Sequence, residues 1–499
     1  MFRSKVVHIV VGVLGTSLLA APAHANTLVV DDDNVPCFAA PYHNINEALA
    51  VAEAGDEIQV CPGLYMEQVV LTKPLTLRGT PVGSQKAVIM PLALLVSRPS
   101  TIGGKLVTAG ILVDAPRVVL DSLVVDMSAA DVGGCAPAVA GVYARDASGA
   151  ITNLAVSGAH ATAPPDCDTG VGLLIEGGQI GNIFGQPILG KAVVSLSDST
   201  FTNNQKGGVV VLGNRAVVKI RSSQVLGDGA TATEVQNGIE LSGGAKARLQ
   251  DVQLRHFQTT VTGKTATGLL LFGAHKARVR RATITDAQTG LFDVGDGTSV
   301  LDTQLGDITS DGIVFLGRKN KALGNRIDVS SVSGVFIDGD RNSVRGGNMS
   351  NMPVGVWFFD GNRSVAKGIQ FTNVPEPERV GGVRNLTSDA ADPFTLDCAV
   401  VADCDDGNPC TVDACDAATG ICSYTNVPNM TPCADGNVCN GNEVCVVGVC
   451  QVGTPLVCVD GNECTADSCD AALGCQFSPV QDGTACNSGM GQCLAGVCS

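Results

Sequence analysis

Gly268-Leu-Leu-Leu-Phe-Gly273 is followed 22 residues later by Gly290-Leu-Phe-Asp-Val-Gly295. The same phrase returns as Gly312-Ile-Val-Phe-Leu-Gly317, Gly334-Val-Phe-Ile-Asp-Gly339 and Gly355-Val-Trp-Phe-Phe-Asp-Gly361. The leading glycines are spaced 22, 22, 22 and 21 residues apart. A short β-run recurring at that period describes a solenoid, because one coil cannot bury its apolar face until a neighbour stacks on it. Upstream the glycine-led run recurs at Gly141, Gly172, Gly208 and Gly238 at longer intervals. The reading is all-β, with about 10 to 11 coils at a strand spacing of about 4.8 Å.

Composition agrees. The 499 residues are 45% apolar but only 4% aromatic, with 60 glycines. Small residues suit tight coils joined by sharp corners. The net charge of −16 is uneven: Cys398 to Ser499 holds 12 acids and no Lys or Arg, and the remainder is near neutral. No basic patch is expected, which argues against nucleic acid as a partner. Arg3 and Lys5, the apolar run Val6 to Ala20 and Ala23-His24-Ala25 read as a secretion signal over 1–25. That run is too short for a membrane span. Export places the 20 cysteines in an oxidising setting and predicts disulfides.

After the signal, Thr27 to Val30 reads as a strand. Asn44 and Glu47 form a capping box for a helix whose apolar face is Ile45, Ala48, Leu49 and Ala52. Then come Gly55-Asp-Glu-Ile58, Pro62-Gly-Leu-Tyr-Met-Glu67 and Lys73-Pro-Leu-Thr-Leu-Arg-Gly79. This order of helix and motifs resembles the N-terminal coils of right-handed parallel β-helix proteins of the pectin-lyase-like superfamily. With the repeats, the resemblance covers residues 26–374. It implies a helix that plugs the first coil, with Cys37 and Cys61 pinning the plug.

Irregular spacings mark where a ligand could sit. Extra residues fall at Met127–Ala140, Gly158–Thr169, Gly227–Asn237 and Gln258–Thr267, just before the glycine strand. Cys135 and Cys167 take equivalent places in neighbouring coils, so the period predicts a Cys135–Cys167 bridge. The coil of Gly208 has a short corner instead. Raised loops on each side would make a notch, with Asn203, Asn204, Gln205 and Lys206 as its floor. Asp131, His160, Asp166, Asp168, Asp228, Glu234 and Lys264 would form its walls. Such a notch suits a polysaccharide, or a surface protein. The rod is read as monomeric. The Gly-(Asn/Asp)-Arg triplets at 213–215, 339–341 and 361–363 are read as corners in which Asn or Asp takes the left-handed conformation. A non-catalytic binding role is preferred, because the Gly-His-Gly, Arg-Ile-Lys and Asp-Pro-His-Asp signatures of related enzymes are absent. A polysaccharide lyase or glycoside hydrolase is the alternative.

Pro375 to Asp397 reads as a linker. Beyond it Cys404-Asp-Asp-Gly-Asn-Pro-Cys-Thr-Val-Asp-Ala-Cys-Asp416 is echoed by Cys458-Val-Asp-Gly-Asn-Glu-Cys-Thr-Ala-Asp-Ser-Cys-Asp470. Residues 398–499 resemble slime-mould-type extracellular matrix repeats. Cys398 and Cys439 lack counterparts in the repeat, so a Cys398–Cys439 bridge is expected. Asp406, Asn408, Asp413, Asp460, Asn462 and Asp467 are oxygen ligands that could hold calcium. The absence of Cys-x-x-Cys pairs and His in the tail disfavours zinc.

Overall fold

In the computed structural model the chain divides into two compact units, residues 1–389 and 390–499. The structure describes residue 25 onward, apart from 36, 101–104, 131–135, 162–169, 184–185, 233–234, 382–384, 386–407, 417–420, 434–437, 452, 472 and 488–489.

The first unit is a parallel β-helix. Its strands are dealt in turn to three sheets, here A, B and C, of 13, 12 and 13 strands. One coil shows the pattern: Asp311–Phe315 lies in sheet C, Lys321–Leu323 in A and Arg326–Ser330 in B, before Ser333–Asp338 returns to C. Registers run straight through the stack: Leu291 pairs with Ile313, Ile313 with Val335 and Val335 with Val356. Alternate side chains therefore line one continuous interior of Val, Ile, Leu and Ala.

The repeated glycines have a steric cause. A Cβ at Gly290 would lie 2.5 Å from the carbonyl oxygen of Gly312, and one at Gly312 would lie 2.5 Å from that of Gly334. Each leading glycine lets the next coil's backbone close onto it. Just beyond sheet C, polar residues form a buried ladder. Thr298 N–H donates to Asn320 Oδ1 (2.8 Å), Asn320 N–H to Asn342 Oδ1 (2.9 Å) and Asn342 N–H to Ser364 Oγ (3.0 Å). These amides satisfy corner backbone that would otherwise be buried without partners.

Helix Ile45–Val51 is present, with Asn44 Oδ1 accepting from Glu47 N–H at 2.9 Å. Ile45 and Ala48 pack into the interior cluster. Cys37 is bonded to Cys61. Among the described residues no helix is long and apolar enough to cross a membrane.

Three expectations need correction. Sheet B alone has 12 strands, more coils than the 10 to 11 expected. Val69–Leu71 and Glu376–Val380 are sheet C strands without the marker glycine; Pro377 stands at that register position in the latter. The linker begins later than Pro375, since Glu376–Val380 pairs with the strand before it and Asn385 Oδ1 extends the amide ladder by accepting from Ser364 N–H at 3.0 Å. Proline is tolerated where alternate N–H groups point away from the ladder. Lastly, at the corners Arg341 (φ 58°) and Arg363 (φ 59°) take the left-handed conformation, rather than Asp340 or Asn362. The preceding residues are held by bonds between coils, as Asp340 Oδ1 accepts from Asn362 N–H at 2.8 Å.

The second unit is made of short hairpins and disulfides. Thr411–Asp416 pairs with Ile421–Asn426, and Thr465–Asp470 with Gly474–Pro479. Cys410–Cys445 and Cys464–Cys493 are equivalent bridges, as are Cys433–Cys450 and Cys486–Cys498; Cys458–Cys475 closes the second hairpin. The expected Cys398–Cys439 bridge is replaced by Cys439–Cys469, which ties the first repeat to the second. The turn Val438–Asn440 lies against the second hairpin, where Val438 N–H donates to Ala471 O at 2.9 Å. Pairing the two cysteines that lack counterparts with each other hid this bridge. Cys398 lies outside the described residues.

Candidate functional site

The proposed notch is tighter than expected. Asn204 and Gln205 are buried, at 5% and 3% exposure. Asn204 Oδ1 accepts from Ala159 N–H (3.2 Å) and Gln205 Oε1 from Ala161 N–H (2.8 Å), so both amides join neighbouring coils and offer no floor to a ligand. A short corner brings the side chains inward, which is why the sequence reading misplaced them. Asn203 is exposed, and its carbonyl lies 3.0 Å from His160 Nε2. Lys206 is half-buried, and Asp228 and Lys264 are exposed. Asp228 is bound to Gln236, whose Nε2 donates to Asp228 Oδ2 at 2.7 Å. Asp131, Asp166, Asp168, Glu234, Cys135 and Cys167 lie outside the described residues.

The calcium set is committed to turns. Asn462 Oδ1 accepts from Cys464 N–H (3.0 Å) while its Nδ2 donates to Gly496 O (2.9 Å). Asn408 does the same with Cys410 and Gly448, at 3.1 and 3.0 Å. Asp460 accepts from Asn462 N–H at 2.8 Å and from the Thr465 hydroxyl, which also approaches Asp467. Asp413 is half-buried, and Asp406 lies outside the described residues. Two exposed carboxylates are a poor match for the six to eight oxygens that calcium takes.

What the sequence reading missed lies on the outer face of sheet C. Register places Leu270, Phe292, Val314, Phe336, Trp357 and Arg379 in one outward row, one residue per coil. Near its end three rings meet. Phe336 and Trp357 are 5.3 Å apart edge to face, Phe336 and Phe359 are 5.6 Å apart, and Trp357 and Phe359 are 6.0 Å apart. Phe359 is 55% exposed, and Phe272 on the same face is 59% exposed. The Arg379 guanidinium sits 4.6 Å from the Trp357 ring centre and is held by both oxygens of Glu376 at 2.8 and 2.5 Å. That pairing keeps the Glu376 carboxyl below its usual range. Beside the rings runs an open cleft of about 490 Å³ whose lining includes Asp296, Arg318, Asp338, Asp340, Asp360 and Asn362. Phe336 and Trp357 are half-buried, so Phe359 is the most open ring of a partly exposed aromatic cluster with a polar rim, the kind of surface that marks a binding face. The signal was in the sequence: Phe292, Phe336 and Trp357 each stand two residues after a leading glycine.

The same face is closed in earlier coils. Strand Ser97–Pro99 pairs antiparallel with Leu106–Val113 and covers an apolar cluster around Val107, Leu112, Tyr143 and Leu174. Beneath it the Tyr143 hydroxyl donates to Glu176 at 2.6 Å, and Ser100 donates to the other Glu176 oxygen at 2.8 Å. Arg98 and Arg145 share Asp114 at 2.5 and 3.3 Å. Burial pushes the Tyr143 phenol far above its usual range. Tyr143 and Glu176 are 0% and 1% exposed, so this acid–base cluster is sealed from substrate in this structure.

Fold and tail together define a parallel β-helix followed by a disulfide-rich segment. A family model described as the Dictyostelium (slime mold) repeat matches residues 403–427 and 457–480. Protein psiQ of Dictyostelium discoideum is 33% identical over 110 residues, covering 17% of this chain and 11% of that protein. Protein psiR of the same organism is 36% identical over 95 residues, covering 18% and 9%. The chain thus spans about a tenth of the length of these curated relatives. Among solved structures, the GH136 lacto-N-biosidase from Eubacterium ramulus matches over 73% of this chain and 68% of its own, at 12% identity and a TM-score of 0.48. The periplasmic alginate epimerase AlgG matches over 67% and 76%, at 10% identity and a TM-score of 0.40. These two likenesses concern the path of the chain alone.

Proposed function

We propose that this chain is a secreted, non-catalytic binding protein whose sheet C holds a glycan against Phe336, Trp357 and Phe359. The observation that carries the reading is the partly exposed ring cluster, open at Phe359, beside a cleft rich in carboxylates. Flat rings accept the C–H faces of sugar rings, and Asp338, Asp340, Asp360 and Asn362 offer hydrogen bonds to hydroxyls. Pre-positioned rings lose little side-chain freedom on binding. The disulfides and the matched slime-mould repeats support an extracellular setting. Helix Ile45–Val51 serves as the plug of the first coil.

Trp357 is the sole tryptophan, so its emission reports on the site directly. Titrating neutral and acidic oligosaccharides into the protein should give a saturable shift in Trp emission. Trp357→Ala, which removes that reporter and is followed by calorimetry, should weaken binding about tenfold or more, as loss of an aromatic anchor does, with unchanged circular dichroism. If no oligosaccharide moves the emission or binds, the reading fails. A lyase or glycoside hydrolase is the alternative reading, and the buried Tyr143 and Glu176 lend it no support. Scoring the same samples for new chain ends separates the two readings.

A further inference from the structure

Stacking also assembles what the linear sequence scatters. On the outer face of sheet A, Lys219 pairs with Arg248 and Arg248 with Arg278. A parallel row holds Arg221, Gln250 and Arg280. Lys219, Arg221, Arg248, Arg278 and Arg280 are all exposed, and they line a cleft of about 340 Å³ that no carboxylate lines. Among the described residues Arg280 has an ion pair, with Asp302 at 3.7 Å, whereas none is seen for Lys219, Arg221, Arg248 or Arg278. Like charges directly opposite one another destabilise a sheet. The fold does not require them: the first row continues through Ser195 on one side and Ser299 on the other. In a chain of net charge −16, an unneutralised cationic stripe is a cost that a ligand would offset.

We propose that this stripe on sheet A binds an anionic polysaccharide, sulfated or uronate-bearing, laid along the axis of the coils. The cations advance one coil at a time, about 4.8 Å, a pitch comparable to that of charges on an extended acidic glycan. Single-stranded nucleic acid is the weaker fit, because such sites interleave aromatic rings for base stacking, and no ring lines this cleft. The surface lies on a different sheet from the aromatic face of sheet C.

The test uses the full chain with heparin, polygalacturonate, single-stranded DNA and phosphatidylserine vesicles at stepped salt. Heparin or polygalacturonate should bind, with affinity falling as salt rises. The triple variant K219S/R248S/R278S uses the residue that the fold itself places in this row. It should lose roughly 100-fold in affinity and most of the salt dependence, with melting temperature unchanged or higher. Trp357→Ala should leave polyanion binding intact. The proposal is overturned if neither polysaccharide binds at low salt, if the triple variant binds as before, or if DNA or vesicles bind more tightly than both polysaccharides. Loss of polyanion binding in Trp357→Ala would also overturn it, by placing both ligands on one face.

Discussion

Asp293 faces the interior in a row where its partners in the neighbouring coils are Leu271 and Phe315. It is fully buried. One carboxylate oxygen accepts from Gly295 N–H at 2.7 Å, while the other, like the buried Thr298 hydroxyl, has no partner of good geometry. Burial raises its pKa from 3.8 to about 7. The unfolded chain ionises this group near pH 4 and the folded chain only near neutrality. Between those values the folded state holds the extra proton, so stability falls as pH rises, by as much as about 4 kcal/mol in all. Asp293→Asn should therefore melt at a clearly higher temperature than the parent at pH 8 and at nearly the same temperature at pH 4. Equal melting shifts at both pH values would show that the carboxyl is not what the pH acts on. The repeats mark this aspartate, since the position three residues after each other leading glycine is apolar (Leu271, Phe315, Ile337 and Phe358), but the sequence reading did not compare the coils position by position.

Among elements, the polar ladder sets how coils register. Asn342 accepts from Asn320 N–H (2.9 Å) and donates to Gly317 O (2.9 Å) and Gly339 O (3.0 Å). Asn342→Ala strips one coil junction of these bonds and should cost about 2–4 kcal/mol in urea unfolding, the range for leaving several buried backbone groups unmatched. Gly312→Ala attacks the same stack through bulk. Its Cβ would meet the Gly334 carbonyl at 2.5 Å, so the variant should be destabilised or expressed poorly, whereas Gly263→Ala meets no atom within 4 Å and loses only the ease of a positive φ. Comparing the two by thermal melting separates crowding from backbone strain. The glycine period made the stack legible because every regular coil needs the same close approach at the same place. The aromatic face of sheet C and the cationic stripe of sheet A were less legible. Phe292, Phe336 and Trp357 share one offset from their glycines and could have been aligned from the period, whereas Lys219, Arg248 and Arg278 become neighbours only once register is known, because insertions upstream of Gly268 shift that register from coil to coil. The notch reading missed the direction of Asn204 and Gln205, which depends on how tightly a corner turns, and it took as loop the residues Gly229 to Thr231, which pair with Phe257 to Thr259.

For the molecule as a whole, stability has two origins. The β-helix rests on a shared apolar interior, whereas the second unit packs chiefly around cystines such as Cys410, Cys433 and Cys445. Small modules of that kind depend on their cross-links. Reduction should abolish the structured amide signals of the second unit while the β-sheet circular dichroism persists. A single cooperative loss of both would contradict separate origins. The bridge between Cys439 and Cys469 has one more consequence. Leu456 and Val457 are exposed on the irregular segment that connects the two repeats, and a protease cutting there would leave the fragments tethered through that bond. The nicked protein would migrate as one species until thiol is added, so this segment tolerates backbone cleavage without shedding its last repeat.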